Sequence, residues 1–165
     1  IKVDRKSKTN IQNIFAIGDV TDRVNLTPVA IEEGRKFADR NYGESDLEVN
    51  YNFIPYAVLS QPEIASVGMT EEKAIQSIGK HNIKVFRSIF RPLSKSIPKS
   101  GSKCLLKIIV DKNNNKVLGC HMIGDNASEI IQMASISLML GAKKSDFDNT
   151  MALHPTIAEE FVTMR

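Results

Sequence analysis

The stretch CLLKIIVDKNNNKVLGCHMI, residues 104–123, decides the fold class. It holds two apolar runs, 104–110 and 117–123, on either side of the polar turn 112–116. Each run has the length and composition of a strand, and a polar turn of this length is typical of a hairpin. The stretch therefore predicts an antiparallel pair of strands.

Other segments of the same half of the chain complete this picture. Further strand-like runs occur at 57–59, 64–67 and 83–90. Apolar residues with helical spacing occur at 71–78 and 128–140, and residues 145–149 indicate a further short helical turn. We therefore expect an α+β fold, in which an antiparallel sheet of five strands has flanking helices. The Met and Ile stripe of 128–140 indicates core or subunit interface rather than a cofactor site.

The beginning of the chain has a different pattern. An apolar run at 11–17 predicts a buried strand, Gly18-Asp19 a tight turn, and Thr27 the cap of a helix that follows. This order is typical of a strand–helix segment from a larger α/β domain. The polar residues 44–50 mark a boundary. We expect two domains, 1–50 and 51–165.

Composition excludes several classes of protein. The 165 residues are 42% hydrophobic and 25% charged, with a net charge of +3, as in an ordinary soluble globular protein. Basic and acidic residues are interspersed, which argues against a nucleic-acid binder, and no run is long enough to span a membrane. Cys104 and Cys120 lack metal-ligand or redox spacing, so we expect buried free thiols and no metal.

Two segments have both a structural and a functional interpretation. Asp19 either accepts hydrogen bonds in its own turn or, beside the helix N-terminus near Thr27, holds a polar ligand. The stretch 91–103 has four cations and no acidic residue: Arg91, Lys95, Lys99 and Lys103. It is either a solvated loop or a surface that attracts an anionic substrate.

The end of the chain offers the best catalytic candidate. Pro155 keeps His154 extended, ahead of a helix that we expect to start near Thr156. Glu159 then either bonds the backbone of Thr156 in a capping box, or holds the ring of His154 as a carboxylate does for a catalytic imidazole. Of the other histidines, we expect His81 to face solvent and His121 to be structural.

Three motifs occur in the order and spacing of one enzyme family. They are Ala16-Ile17-Gly18-Asp19-Val20 followed by Leu26-Thr27-Pro28-Val29-Ala30, then Ser66-Val67-Gly68-Met69-Thr70-Glu71, and finally His154-Pro155-Thr156 with Glu159-Glu160. With them the chain resembles the C-terminal third of the flavin-dependent disulfide reductases. The segments 90–93 and 159–165 are most similar to the branch of that family that reduces glutathione disulfide in plants and cyanobacteria.

This resemblance implies a reaction and a role for several residues. NADPH reduces FAD, FAD reduces an enzyme disulfide, and a thiolate of the reduced pair attacks oxidised glutathione. Asp19 would hold the ribityl chain of FAD, and the backbone near Thr27 would face the flavin ring. His154 would be the general acid and base for the departing glutathione thiolate, with Glu159 orienting it. Residues near bound glutathione would be Leu93, Ser94, Thr156 and Glu160.

The resemblance also implies a homodimer, because the histidine of this family acts on the disulfide of the other subunit. The family's Cys-x4-Cys and GxGxxG motifs do not occur in these 165 residues. We therefore expect a fragment of a cytoplasmic or organellar enzyme, with residues 1–50 ending its FAD- and NADPH-binding region. Alone it would be inactive. The alternatives are a related reductase of another disulfide, such as trypanothione, or a module that only dimerises.

Overall fold

The computed structural model describes residues 1–96 and 103–165 and divides into two compact units. The first unit is Ile1–Tyr51 and the second is Asn52–Arg165. The first unit contains a 3₁₀ turn at Gly18–Thr21 and one long helix, α1 (Thr27–Tyr42). Pro28 occupies the first turn of α1, where its missing N–H costs no helical hydrogen bond.

Two predictions for the first unit are wrong. The expected strand at 11–17 is absent from the described structure: the only bridge there joins Phe15 to Lys8, and Ile11 and Ile14 are exposed. A strand needs a hydrogen-bonded neighbour, and turns occupy most of this segment instead. Thr27 is the first residue of α1 rather than its cap, because Leu26 holds the extended N-cap position.

The second unit is built on an antiparallel sheet. Its strands are β1 (Tyr56–Val58), β2 (Ile64–Gly68), β3 (Ile83–Phe90), β4 (Cys104–Asp111) and β5 (Val117–Ile123). The spatial order is β1-β2-β5-β4-β3, and every neighbouring pair is antiparallel. The predicted hairpin is β4–β5, in which Ile108 pairs with Cys120. The expected α+β fold is confirmed.

The remaining helices lie between and after the strands. They are α2 (Glu71–Ile78), α3 (Leu93–Ser96), α4 (Ala127–Met139), α5 (Lys144–Asn149) and α6 (Glu160–Thr163), with a short 3₁₀ turn at Lys80–Asn82. Thr70 caps α2 as predicted, because its hydroxyl accepts a hydrogen bond from the N–H of Lys73 at 3.2 Å. This bond satisfies one of the N–H groups that a helix start leaves unpaired.

Each face of the sheet carries a hydrophobic core. Leu106 and Ile108 of β4 belong to the larger core, which includes buried residues of α4, α5 and α6. Ile109 points the other way and packs with Ala74 of α2 and with Ile83. Successive side chains of a strand alternate between faces, so β4 supports both cores.

The two cysteines lie inside the larger core. Cys104 and Cys120 are free and buried, as predicted. Burial raises the pKa of the Cys120 thiol to about 12, so this side chain is not a thiolate at neutral pH. It packs as a small hydrophobic residue.

Helix α4 is apolar on both of its faces. Ala127, Ile131 and Leu138 are buried. On the outer face, the exposed fraction is 65% for Met133, 51% for Ile136 and 52% for Met139. Exposed apolar residues that form a contiguous patch mark interaction surfaces. The apolar residues that the sequence analysis identified in this helix therefore contribute both to the hydrophobic core and to an exposed apolar surface.

Candidate functional site

The side chains of His154 and Glu159 are paired. His154 Nδ1 lies 3.1 Å from Glu159 Oε1 and 3.2 Å from Oε2. An ionised carboxylate only accepts hydrogen bonds, so Nδ1 carries a proton and donates it, which leaves Nε2 available to a substrate. The imidazole is 80% exposed, whereas the Glu159 side chain is 16% exposed. The more buried side chain therefore orients the exposed one.

The backbone between these residues forms a turn instead of the expected helix. The His154–Pro155 peptide bond is cis, and α6 begins only at Glu160, so the predicted helix start near Thr156 is wrong. The Thr156 hydroxyl accepts a hydrogen bond from the N–H of Glu159 at 3.1 Å and closes the turn. Of the two interpretations of Glu159, the structure has the one in which the carboxylate contacts His154.

A groove of about 710 Å³ surrounds the His154–Glu159 pair. It lies between the segment that follows β3 and the turn before α6. The sequence-predicted residues that line it are Leu93, Ser94, His154, Thr156, Glu159 and Glu160. The structure thus brings together every predicted catalytic and substrate-binding residue. Asp19 and Thr27, the predicted cofactor residues, lie in the first unit.

Ser88 is a groove-supporting residue that the sequence analysis missed. Its hydroxyl donates a hydrogen bond of 2.6 Å to Glu160 Oε2. Ser88 lies between Phe86 and Phe90 on the face of β3 that packs on the larger core. A hydroxyl among apolar positions of a strand needs a partner, and this break in the alternation is the signal that would have identified it.

The basic stretch contributes less charge to the groove than its composition suggests. Arg91 lines the groove, and among the lining residues that the structure describes it is the one lysine or arginine. Lys95 instead forms an ion pair with Asp125 at 2.5 Å. Lys103 is exposed, and Lys99 lies outside the described residues.

The predicted cofactor residues lie at the junction of the 3₁₀ turn and α1. Gly18 has a φ of +71°, and a Cβ at this position would lie 3.2 Å from the Cβ of Ala30, so the turn lies directly against the start of α1. Asp19, the next residue, is exposed. The N–H of Thr27 begins α1, where no side chain provides a cap. Asp19 thus supplies a hydrogen-bond acceptor, and the start of α1 at Thr27 supplies the positive end of a helix dipole.

Two other kinds of site are not found in the described ranges. Among residues 1–96 and 103–165, no group of three or more His, Cys, Asp or Glu side chains could hold a metal ion. No helix in those ranges has the length and apolar character needed to cross a membrane.

Family models match both parts of the chain. Residues 54–165 match the dimerisation domain of the pyridine nucleotide-disulphide oxidoreductases, and residues 1–34 match the pyridine nucleotide-disulphide oxidoreductases. The chain belongs to this family. The family resemblance predicted from the three sequence motifs is therefore confirmed.

Curated relatives match over the whole chain. It is 47% identical to a glutathione reductase of Nostoc sp. and 45% identical to one of Burkholderia cepacia, in each case over 100% of this chain and 36% of the relative. It is 46% identical to the chloroplastic/mitochondrial glutathione reductase of Pisum sativum, over 100% of this chain and 30% of that protein. The chain thus spans about a third of the length of these relatives.

Solved structures of the family share the fold. The HOCl-induced flavoprotein disulfide reductase RclA from Escherichia coli superposes with a TM-score of 0.85 and 26% sequence identity, over 99% of this chain and 37% of that chain. The Cu(II) complex of the same reductase gives a TM-score of 0.83 and 27% identity, over 97% of this chain and 36% of that chain. The arrangement of strands and helices described above is thus that of a flavoprotein disulfide reductase.

Proposed function

We propose that the chain is the C-terminal part of an NADPH-dependent, FAD-containing glutathione-disulfide reductase. Residues 1–50 would end its FAD- and NADPH-binding region, and residues 51–165 would form its dimerisation domain. The observation that carries the proposal is the exposed imidazole of His154, held by Glu159 inside a groove. Since the curated relatives are glutathione reductases, oxidised glutathione is the first substrate to test.

His154 supplies acid–base catalysis in this proposal. When bound, FAD supplies the electrons, taken from NADPH, that reduce the disulfide of the enzyme. A thiolate of the reduced pair attacks one sulfur of oxidised glutathione, so that an enzyme–glutathione S–S bond forms and the substrate S–S bond breaks. His154 Nε2 donates a proton to the sulfur of the glutathione that departs, because a leaving thiolate is otherwise poorly stabilised at neutral pH. Glu159 stabilises the positive charge of the protonated ring and keeps Nδ1 as a donor.

The charges of the groove support a zwitterionic substrate such as glutathione, which has carboxylates at two ends and an ammonium at one. Arg91 offers a partner for a carboxylate. Glu160 offers a partner for an ammonium, and Ser88 holds its carboxylate in place. Leu93, Ser94 and Thr156 complete the contact surface.

The residues of the first unit fit the flavin that the family requires. Asp19 is an exposed acceptor directly after a glycine that allows the turn to approach α1 closely, which suits the hydroxyls of a ribityl chain. The uncapped start of α1 at Thr27 suits a partly negative ring edge. The NADPH site would lie outside this chain, since no dinucleotide-binding motif occurs in it.

The outer face of α4 supports a homodimer. It presents Met133, Ile136 and Met139 to solvent, and the matched family model is a dimerisation domain. The exposure of His154 agrees with this arrangement, because an imidazole that acts on the disulfide of the other subunit must face outward from its own. Free thiols suit a reducing compartment, and we propose the cytoplasm or an organelle.

The experiment that tests this proposal is NADPH oxidation by the complete protein with one disulfide at a time. We expect rapid, saturable turnover with oxidised glutathione and little with trypanothione disulfide or coenzyme A disulfide. Turnover with one of the latter alone would replace glutathione as the substrate. A protein that binds no flavin and oxidises no NADPH would leave only the interpretation as a dimerisation module.

A further inference from the structure

Glu33, in the second turn of α1, is a buried carboxylate that the reaction proposed above leaves without a role. Its side chain is 1% exposed. It accepts hydrogen bonds from the N–H of Gly18 at 2.6 Å and from the hydroxyl of Tyr51 at 2.6 Å, and the Arg23 guanidinium lies 3.0 Å away. A buried carboxylate is costly unless charge and hydrogen bonds compensate it, and these three groups do so.

The two oxygens of Glu33 have separate tasks. Oε2 accepts the backbone N–H of Gly18, while Oε1 faces Tyr51 and Arg23. Burial, and then the hydrogen bond to Glu33, raise the pKa of Tyr51 to about 12, so this hydroxyl remains a donor at physiological pH. Arg23 also lies over the Tyr51 ring, 5.4 Å from its centroid. Tyr51 and Arg23 thus hold one oxygen of the carboxylate in place, and the other oxygen accepts the backbone N–H of Gly18.

Glu33 holds the backbone of Gly18, the residue directly before Asp19. The N–H of Gly18 is held by Glu33, and the carbonyl of Gly18 accepts a hydrogen bond from the Thr21 hydroxyl at 2.8 Å. Both polar groups of the glycine are therefore paired, in a left-handed conformation pressed against α1. These bonds set the direction in which the chain, and hence the Asp19 side chain, leaves the turn.

We infer that Glu33 is the positioning residue of the flavin site: through the N–H of Gly18 it fixes the turn that presents Asp19 to the ribityl chain. The inference rests on the proposed function, in which Asp19 binds FAD. In this proposal Glu33 itself contacts no part of the cofactor. Its effect on flavin binding passes through the backbone of Gly18.

Glutamine cannot replace Glu33 in this role, although it has the same shape. If its amide oxygen accepts from Gly18, its NH₂ group faces the Arg23 guanidinium, which only donates. If the amide is turned round, the NH₂ group faces the N–H of Gly18 instead. Either orientation leaves two donors in contact inside the protein. Glu33→Gln therefore loses its contact either with the N–H of Gly18 or with the Arg23 guanidinium.

The test is a double-mutant cycle on FAD affinity in the complete protein. The variants are Glu33→Gln, Asp19→Asn and the two together, measured by FAD titration after the flavin is removed. We expect each single change to raise the Kd for FAD about tenfold, and the double variant to be little weaker than either one, because both act on the same contact. Glu32→Gln, the neighbour that pairs with Lys36 at 3.5 Å, is the matched control and leaves the Kd unchanged.

Amide hydrogen exchange of Gly18 in the flavin-free protein gives a second readout. We expect exchange at least about tenfold faster in Glu33→Gln than in the unmodified protein or Glu32→Gln.

Where Glu33→Gln fails to fold, Tyr51→Phe takes its place in the cycle, with a smaller effect of the same kind. Additive effects of Glu33 and Asp19, or an unchanged Kd in Glu33→Gln, overturn the inference. An unmodified protein that binds no FAD refutes the proposed function itself.

Discussion

Ser88 Oγ and Glu160 Oε2 lie 2.6 Å apart, which joins the middle of β3 to the first residue of α6 across 72 positions of sequence. The bond fixes one carboxylate of the groove to the sheet. A substrate-binding group held by a rigid element loses less conformational entropy on binding than one on a free side chain. The position of Glu160 is thus a property of the sheet as well as of the terminal turn.

Loss of the Ser88 hydroxyl should therefore weaken substrate binding. In Ser88→Ala we expect KM for oxidised glutathione to rise about tenfold with kcat little changed, since a hydrogen bond to a charged group contributes about 1.5 kcal/mol. Steady-state kinetics of the complete protein measure this. The control is Ser77→Ala, a substitution at an exposed position of α2, which should leave KM unchanged. An unchanged KM in Ser88→Ala would mean that the hydrogen bond to Glu160 does not support substrate binding.

The outer face of α4 is expected to hold the dimer together. Ile136→Lys places a charge among exposed apolar residues, and burying an unpaired charge in an interface costs several kcal/mol. We expect a shift from dimer to monomer by sedimentation at micromolar concentration. Gln76→Lys, which adds the same charge to the exposed surface of α2, should remain dimeric. A dimeric Ile136→Lys variant would place the subunit interface elsewhere.

We expect His121 to make the stability of the second unit sensitive to acid. Its Nε2 lies 3.0 Å from the carbonyl oxygen of Met69 and donates to it. Burial lowers the pKa of this imidazole below its usual 6.5, and the nearby Lys107 lowers it further. The hydrogen bond to Met69 and the charges of Glu71 and Glu72 oppose this lowering of the pKa. Below pH 6.5 the unfolded chain binds a proton that the folded chain resists, so stability falls as the pH falls through this range.

The corresponding variant should remove part of this sensitivity. We expect His121→Gln to lose less stability than the unmodified protein between about pH 7 and about pH 5, with similar behaviour of the two above about pH 7. Urea unfolding midpoints at several pH values measure the difference. His81→Gln, at an exposed position, should follow the unmodified protein. Parallel curves for His121→Gln and the unmodified protein would show that this imidazole does not set the pH dependence.

Local patterns were sufficient to predict most of the second unit. The hairpin 104–123 pairs as expected because both of its strands are apolar and its turn is polar. Helix α2 follows its Thr70 cap, since that signal lies within one turn of the chain. The groove also follows from local motifs, because its residues come from two short segments, 90–96 and 154–160.

The remaining features depend on contacts between distant residues. The run 11–17 looks like a strand, but a strand exists only where another strand can pair with it, and Phe15 has a bridge to Lys8 alone in the described structure. Ser88 breaks the apolar alternation of its strand and Glu33 has ordinary sequence surroundings, but in neither case does the sequence show which residue is the partner. Their importance comes from partners 72 and 15 positions away, which sequence spacing does not reveal.

In the proposed reaction His154, oriented by Glu159, is the acid and base of the disulfide half-reaction. The most direct test measures the two half-reactions of His154→Ala separately in the complete protein. We expect NADPH to reduce the flavin at the unmodified rate, while reduction of oxidised glutathione falls by about two to four orders of magnitude. Equal losses in both half-reactions, or none in the second, would contradict it.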